Sequence, residues 1–268
     1  MVDRPEGADG VLALLTTPVD ATFFDLVGPQ LRVVANYAVG VNNIDLAEAR
    51  RRGIVVANTP DVLTRTTAEL AVGLMLALLR RIVEGDRFVR RRAEWDFSLT
   101  FMLGESLEGK LVGIVGPGRI GRETARLVEA FGARTAFAGR SDPLEPLLAS
   151  ADVVSLHCPL TDDTRHLIDA AALAAMRPTA VLVNTARGPV VDERALVAAL
   201  LAGEIAGAAL DVFEDEPEVS EELLGLQNVV LTPHLGSATR TTRLAMGQLA
   251  VEALRAVLLR DETPPNAV

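Results

Sequence analysis

The sequence predicts an α/β fold: a doubly wound parallel sheet of the Rossmann type beside a smaller α/β domain. Three observations lead there. Short apolar runs of strand length alternate with helix-length segments along the whole chain, the order that forces parallel pairing through right-handed crossovers. Residues 111–132 pass from an apolar run through Gly116-Pro117-Gly118-Arg119-Ile120-Gly121 into a segment with apolar residues at helical spacing. The composition is 49% hydrophobic but 4% aromatic, so the core is Leu, Val, Ala and Ile, as in strands buried on both faces. A length of 268 residues is enough for two modest domains.

In order, residues 11–15 read as a strand, 20–26 as a helix, 31–36 as a strand, 46–52 as a helix and 54–57 as a strand, which together make a small βαβαβ unit. Pro60 marks a boundary, and Thr66-Thr67-Ala68-Glu69 is a capping-box signature ahead of a long apolar helix to about residue 84 that links two domains. Residues 88–108, with Arg90, Arg91, Arg92 and the lone Trp95, read as a surface excursion whose arginines form a solvated face. The strand at 111–115 feeds the glycine turn and a helix carrying Ile120, Ala125, Leu127, Val128 and Phe131. A strand at 135–138 follows, then Gly139-Arg140-Ser141, a short helix at 144–150, a strand at 153–156, a helix at 170–176 and a strand at 180–184. The helix 193–202, the strands 205–210 and 229–231, and a long helix 241–259 that folds back on the first unit complete the chain. The expected division is 1–63 plus 240–268 as a substrate domain and 64–239 as a dinucleotide-binding domain.

A net charge of −10 excludes nucleic acid as a partner, because a phosphate backbone would be repelled. The longest apolar stretch, 70–79, is too short to span a bilayer, and Met1-Val2-Asp3-Arg4-Pro5-Glu6 lacks the order of a signal peptide, so a cytoplasmic protein is expected. No metal site is expected. The lone Cys158 ends an apolar strand and reads as a packed thiol.

The chemistry concentrates at strand ends, where ligands of such sheets bind. Gly116 permits a tight turn, Gly118 admits a pyrophosphate to the backbone, and Gly121 lets the helix pack closely, while the amides of Arg119 and Ile120 at the helix start donate to phosphate. Pro117 has no N–H to offer. Arg187, Asp211, Glu216 and His234 follow three successive strands and so come to one edge. Singly, each is an ordinary surface or structural residue. Together they supply a carboxylate grip, a proton donor near neutral pH and an acidic partner for it, which beside a nicotinamide would reduce a 2-keto acid. Where an NAD site carries an acidic residue for the ribose hydroxyls, this chain has Gly139, Arg140 and Ser141, so NADP is expected over NAD, with Asp142 as the acidic alternative. His157 and His166 read as structural.

The segments 34–45 (Val-Ala-Asn-Tyr-Ala-Val-Gly-Val-Asn-Asn-Ile-Asp), 58–64, 111–132, 156–161 (Leu-His-Cys-Pro-Leu-Thr), 183–188, 210–217 and 233–239 (Pro-His-Leu-Gly-Ser-Ala-Thr) together resemble the signatures of the D-isomer-specific 2-hydroxyacid dehydrogenases, nearest to glyoxylate and hydroxypyruvate reductases. The resemblance implies that Arg187 binds the substrate carboxylate and polarises its keto oxygen, that His234 donates the proton, and that Glu216 keeps the imidazole protonated. It implies substrate contacts from the amides of Val39 and Gly40, and cofactor contacts at Cys158, Pro159, Thr185, Ala186 and Gly236, with Asp211 beside the nicotinamide carboxamide. It also implies a homodimer through the helix near Thr67 and the excursion at Trp95, to which Leu70, Leu74, Leu76, Leu78 and Leu79 add apolar surface.

Three departures from the family pattern stand out. The family has a further βα unit ahead of Gly10, which this chain is expected to lack, and residues 141–149 have room for one short helix where the family has another helix and a strand, which in the 3-2-1-4-5-6 order is the sheet edge. The loop after Trp95 lacks the reductases' aromatic pattern. The competing readings are an NAD-dependent phosphoglycerate-type dehydrogenase and a nucleotide-binding or inactive protein of the same fold.

Overall fold

The structure, a computed structural model, describes residues 5–95 and 98–268. The chain divides into two compact units, residues 1–63 with 237–268, and residues 64–236.

The first unit holds a parallel three-stranded sheet, β1 (Gly10–Ala13), β2 (Val33–Asn36) and β3 (Val55–Ala57), in that spatial order. Helices α1 (Ala21–Val27) and α2 (Leu46–Arg51) make the crossovers, and each starts on an aspartate that accepts an N–H of the first turn: Asp20 from Phe23 and Asp45 from Glu48, both at 2.9 Å. Phe24, Val27, Val34, Ala49 and Val56 fill one face of the sheet. The long helix α10 (Arg240–Arg260) covers the other with Ala250, Ala253 and Leu254 against Ala35 and Ala57. The C-terminal residues close the outer edge of β3, where Ala267 bridges Ala57 and the Val268 N–H donates to the Val56 carbonyl. Among the described residues no strand pairs with the outer edge of β1.

The second unit is a six-stranded sheet of parallel strands in the order β5-β4-β6-β7-β8-β9. These are β4 (Leu111–Val115), β5 (Arg134–Ala138), β6 (Val153–Leu156), β7 (Val181–Asn184), β8 (Gly207–Leu210) and β9 (Val229–Leu231). Their side chains alternate between two apolar layers. Val112, Ile114, Val153, Val181, Val183 and Ala209 pack under α3 (Thr64–Leu79) and α5 (Arg119–Glu129). Val154, Leu156, Leu182, Ala208 and Leu210 pack with α6 (Glu145–Ser150), α7 (Ala170–Ala175), α8 (Glu193–Ala202) and α9 (Glu221–Gly225). Only α6 stands between β5 and β6, and β5 is the sheet edge, as the short 141–149 segment requires.

Two sequence expectations are corrected. The long helix does not run to residue 84: it ends at Leu79, Arg81 turns left-handed at φ 53°, and a new helix, α4 (Ile82–Arg90), begins there. The reason is tertiary, since the returning chain donates the Glu105 N–H to the Leu79 carbonyl at 2.8 Å, while the Arg81 guanidinium grips Glu84 in the new first turn. At the other end α3 starts at Thr64, so Thr66 lies inside its first turn rather than capping it, and Glu69 pairs with Arg65 at 2.7 Å. The excursion therefore begins after α4, and its residues Asp96 and Phe97 lie outside the described residues, as do 1–4 at the N-terminus. Helices α4 and α9 have no counterpart in the sequence reading. Among the described residues no helix is long and apolar enough to cross a membrane, and no cluster of His, Cys, Asp and Glu could hold a metal.

Candidate active site

Register decides where the polar residues emerge. Val115, Leu156, Asn184, Leu210 and Leu231 pair in one row across the sheet, so the next residue of each strand, Gly116, His157, Thr185, Asp211 and Thr232, stands at one carboxyl edge.

After β7 the turn is built by a buried asparagine. Asn184 accepts the Ala186 N–H at 3.0 Å and donates to the Arg187 carbonyl at 2.9 Å. Gly188 continues it because its Cα lies against the carbonyl of Phe213, where any Cβ would overlap. Arg187 is thus held with Nη1 on the Ala186 carbonyl at 2.6 Å and a buried Nε that has no hydrogen-bond partner among the described residues. Burial pushes the guanidinium pKa down and the Glu216 carboxylate opposes it. A guanidinium nonetheless stays charged near neutral pH. A buried donor of this kind fits an anionic ligand.

After β8, Asp211 is buried and its carboxylate gathers the loop that follows β9: Oδ1 accepts the Thr232 hydroxyl at 2.6 Å and the Leu235 N–H at 2.7 Å, and Oδ2 accepts the Gly236 N–H at 2.8 Å. His234 is the hub of that loop, in the left-handed region at φ 54°, with its own N–H on the Asp211 carbonyl at 2.8 Å. Its Nδ1 meets Glu216 Oε2 at 2.8 Å, and Glu216 Oε1 accepts the Phe213 N–H at 3.0 Å. Burial raises the Glu216 pKa, but the His234 hydrogen bond and charge, the Phe213 N–H and Arg187 outweigh it, so the carboxyl sits below the usual range. Because Nδ1 faces an ionised carboxylate, Nε2 is the nitrogen left to meet a reactant.

The glycine turn fits a dinucleotide phosphate. Gly116 has φ 91°, and a Cβ there would be 2.6 Å from the Cys158 backbone nitrogen; a Cβ on Gly121 would overlap the Gly116 carbonyl and lie 2.9 Å from Ile114 Cγ2. A Cβ on Gly118 would meet nothing. Gly116 and Gly121 therefore answer to packing, and Gly118 leaves open space in front of the first turn of α5, whose leading residues are Arg119 and Ile120. Thr185 adds a buried hydroxyl with no partner among the described residues at the same edge. Thus the residues present fit a dinucleotide. Burial pushes the Cys158 thiol up to about 11, so it is a packed group.

Comparison with known proteins gives this geometry its setting. The family described as "D-isomer specific 2-hydroxyacid dehydrogenase, NAD binding domain" matches residues 72–236. The chain belongs to the D-isomer-specific 2-hydroxyacid dehydrogenases. It is an NAD(P)-dependent enzyme acting on the CH–OH group of its donor. Its relatives include the glyoxylate reductases of Korarchaeum cryptofilum, 48% identical over 284 residues that cover 100% of this chain and 85% of that one, and of Pyrococcus furiosus, 46% identical with 100% and 84% covered. Among solved structures, a protein of Thermus thermophilus matches with a TM-score of 0.93 at 45% identity, covering 98% of this chain and 86% of that one. The NADPH-dependent glyoxylate/hydroxypyruvate reductase of Sinorhizobium meliloti, in complex with NADP and malonate, matches with a TM-score of 0.87 at 39% identity, covering 97% and 83%.

In this dehydrogenase the remaining predicted residues are placed as follows. Arg140 follows β5, is largely exposed and pairs with Asp163 at 2.7 Å; Ser141 is beside it, and Asp142 turns back to accept the Gly139 N–H at 2.7 Å. Ala186 and Gly236 line the turns already described, and Pro159 is exposed after Cys158. Val39 and Gly40 belong to the other unit, where Asn58 and Asn36 donate to their carbonyls, each at 2.8 Å. His157 is structural in its contacts: Nε2 meets Ser155 Oγ at 2.9 Å, Nδ1 is buried without a partner, and burial lowers its pKa to about 4. Sequence reading missed Asn184, Gly188 and Glu214 as builders of the site. A polar residue ending an all-apolar strand, Asn184, was the available signal; the Gly188 clearance has none.

Proposed function

We propose that this dehydrogenase reduces glyoxylate, and hydroxypyruvate with it, to the 2-hydroxy acid, using NADPH in preference to NADH. The nicotinamide supplies the hydride. Arg187 binds the substrate carboxylate and draws charge from the keto oxygen, His234 gives the proton from Nε2, and Glu216 holds the ring and its charge. The observation that carries this reading is the His234–Glu216 bond at 2.8 Å at the strand edge that also bears the orphaned Arg187 Nε. The names of the relatives support the substrate. Val39 and Gly40 are proposed as further donors to the substrate carboxylate.

The cofactor preference rests on Arg140 and Ser141. Asp142 is engaged with its own loop, and an exposed pair such as Arg140–Asp163 is worth about 1 kcal/mol or less, so a 2′-phosphate can displace it. The proposal includes a homodimer. Leu74 and Leu79 are buried within α3's own unit and Leu70, Leu76 and Leu78 are half-buried, while Ile82, Val89, Trp95, Leu99 and Leu103 are exposed around α4 and the excursion, which supports the excursion part of that surface. Light scattering at micromolar concentration tests this, and a monomer refutes it.

The activity test follows absorbance loss from NADPH and NADH with glyoxylate, hydroxypyruvate and 3-phosphohydroxypyruvate. Faster NADH oxidation overturns the cofactor assignment; turnover confined to the phosphorylated acid overturns the substrate. His234→Ala should cut turnover by about a hundredfold or more with cofactor affinity kept, and Arg187→Ala should chiefly raise the keto-acid KM. Near-normal kinetics in both would remove the site assignment.

A further inference from the structure

Glu216 sits in a loop that ought to resist being held. Residues 214–218 carry Glu214, Asp215, Glu216 and Glu218 with no cation among them, so the segment repels itself and its carboxylates favour water. The structure restrains it at three places. The Phe213 carbonyl lies against Gly188, and the Glu214 N–H donates to Glu193 Oε2 at 3.2 Å at the start of α8. The Glu214 carboxylate accepts the Glu193 N–H at 3.3 Å and meets His166 Nε2 at 2.6 Å. His166 reaches it from a segment 48 residues away in sequence, which is itself tied down: the His166 N–H donates to the Pro189 carbonyl at 2.8 Å, and Ile168 bridges Val191. The backbone of His166 is left-handed, φ 51°, a conformation uncommon outside glycine that His and Asn adopt more readily than most residues.

We infer that His166 is a positioning residue for the reaction: by clasping Glu214 it holds the 213–217 loop so that Glu216 presents Oε2 to His234. This rests on the proposed role of His234 as proton donor. His166 touches no reactant. It supplies one ring contact to a loop of like charges, and removing it leaves the two Glu193 bonds as the remaining hold on Glu214. Glu216 is two residues from the clasp, so a small displacement there is transmitted to the Nδ1 bond.

The test uses two substitutions chosen for the backbone. His166→Asn tolerates the left-handed conformation but is too short to reach Glu214, whereas His166→Gln keeps an N–H donor of similar reach. The inference expects His166→Asn to lower kcat about tenfold with the keto-acid KM and the NADPH Kd within about twofold, and His166→Gln to recover most of the loss. The double variant with Glu214→Ala should be no slower than Glu214→Ala alone. Proton NMR gives a second readout, because the chain has three histidines and each variant removes one. The His234 ring resonances should shift in His166→Asn relative to the parent, since the Nδ1–Glu216 bond is displaced with the loop. A parent-like kcat together with parent-like His234 ring resonances, whatever the melting temperature, overturns the inference. Loss of the His234 role itself shows separately, as full turnover in His234→Ala.

Discussion

Replacing Asp211 by Asn keeps shape and removes charge, and the structure allows the cost to be worked out. The carboxylate takes two donors on Oδ1 and one on Oδ2. With its carbonyl oxygen turned to Thr232 and Leu235, the amide NH2 must face the Gly236 N–H, donor against donor, at a buried position. Stranding that N–H costs about 1–3 kcal/mol, and turning two charge-assisted bonds into neutral ones costs roughly 0.5–1 kcal/mol each. Burial already pushes the Asp211 pKa up, so neutralising the group returns part of this. The net loss is about 2–3 kcal/mol, which for a unit of this size is a drop of roughly 5–10 °C in melting temperature. Because the same three bonds shape the loop bearing His234, kcat should fall about tenfold or more in parallel. Differential scanning calorimetry and steady-state kinetics on Asp211→Asn and the parent provide the comparison. A melting temperature within about 2 °C and an unchanged kcat would falsify the idea that this carboxylate organises the loop.

Gly118→Ala should weaken NADPH binding with little change in melting temperature, because its Cβ enters open space in front of α5, whereas Gly121→Ala should lower both, by roughly 1–3 kcal/mol in stability, because its Cβ overlaps the Gly116 carbonyl. Equal melting temperatures for the two variants would contradict the packing assignment, as read by calorimetry and fluorescence titration. His157 is kept neutral by burial, with its pKa lowered to about 4, so below pH ~6.5 the unfolded chain takes up a proton that the folded one refuses, and stability declines as pH falls from about 6.5 to 4, by about 2–3 kcal/mol in total. His157→Asn should flatten that part of the stability-pH curve in urea titrations, and an unchanged slope would show that the ring is not held neutral.

Much of this protein is decided within short stretches of chain. Strand and helix periods, the aspartates that start α1, α2, α7 and α8, and the glycines of the cradle are local, because each depends on a few neighbouring residues, and so the βα alternation and the 116–121 turn were legible residue by residue. The rule that ligands meet the carboxyl ends of parallel strands then brought Arg187, Asp211, Glu216 and His234 to one edge from the sequence alone. What tertiary structure decided are the relations between segments far apart in sequence. The break between α3 and α4 depends on Glu105 occupying the Leu79 carbonyl, which apolar periodicity cannot register. The registers that align Leu156, Asn184, Leu210 and Leu231 determine that Glu216 meets His234 across 18 residues and that His166 meets Glu214 across 48. Gly188 reads as a turn glycine until the Phe213 carbonyl is seen against it. Local preference is written in each segment's own side chains, whereas a hydrogen bond between distant segments exists only once the sheet has set their separation.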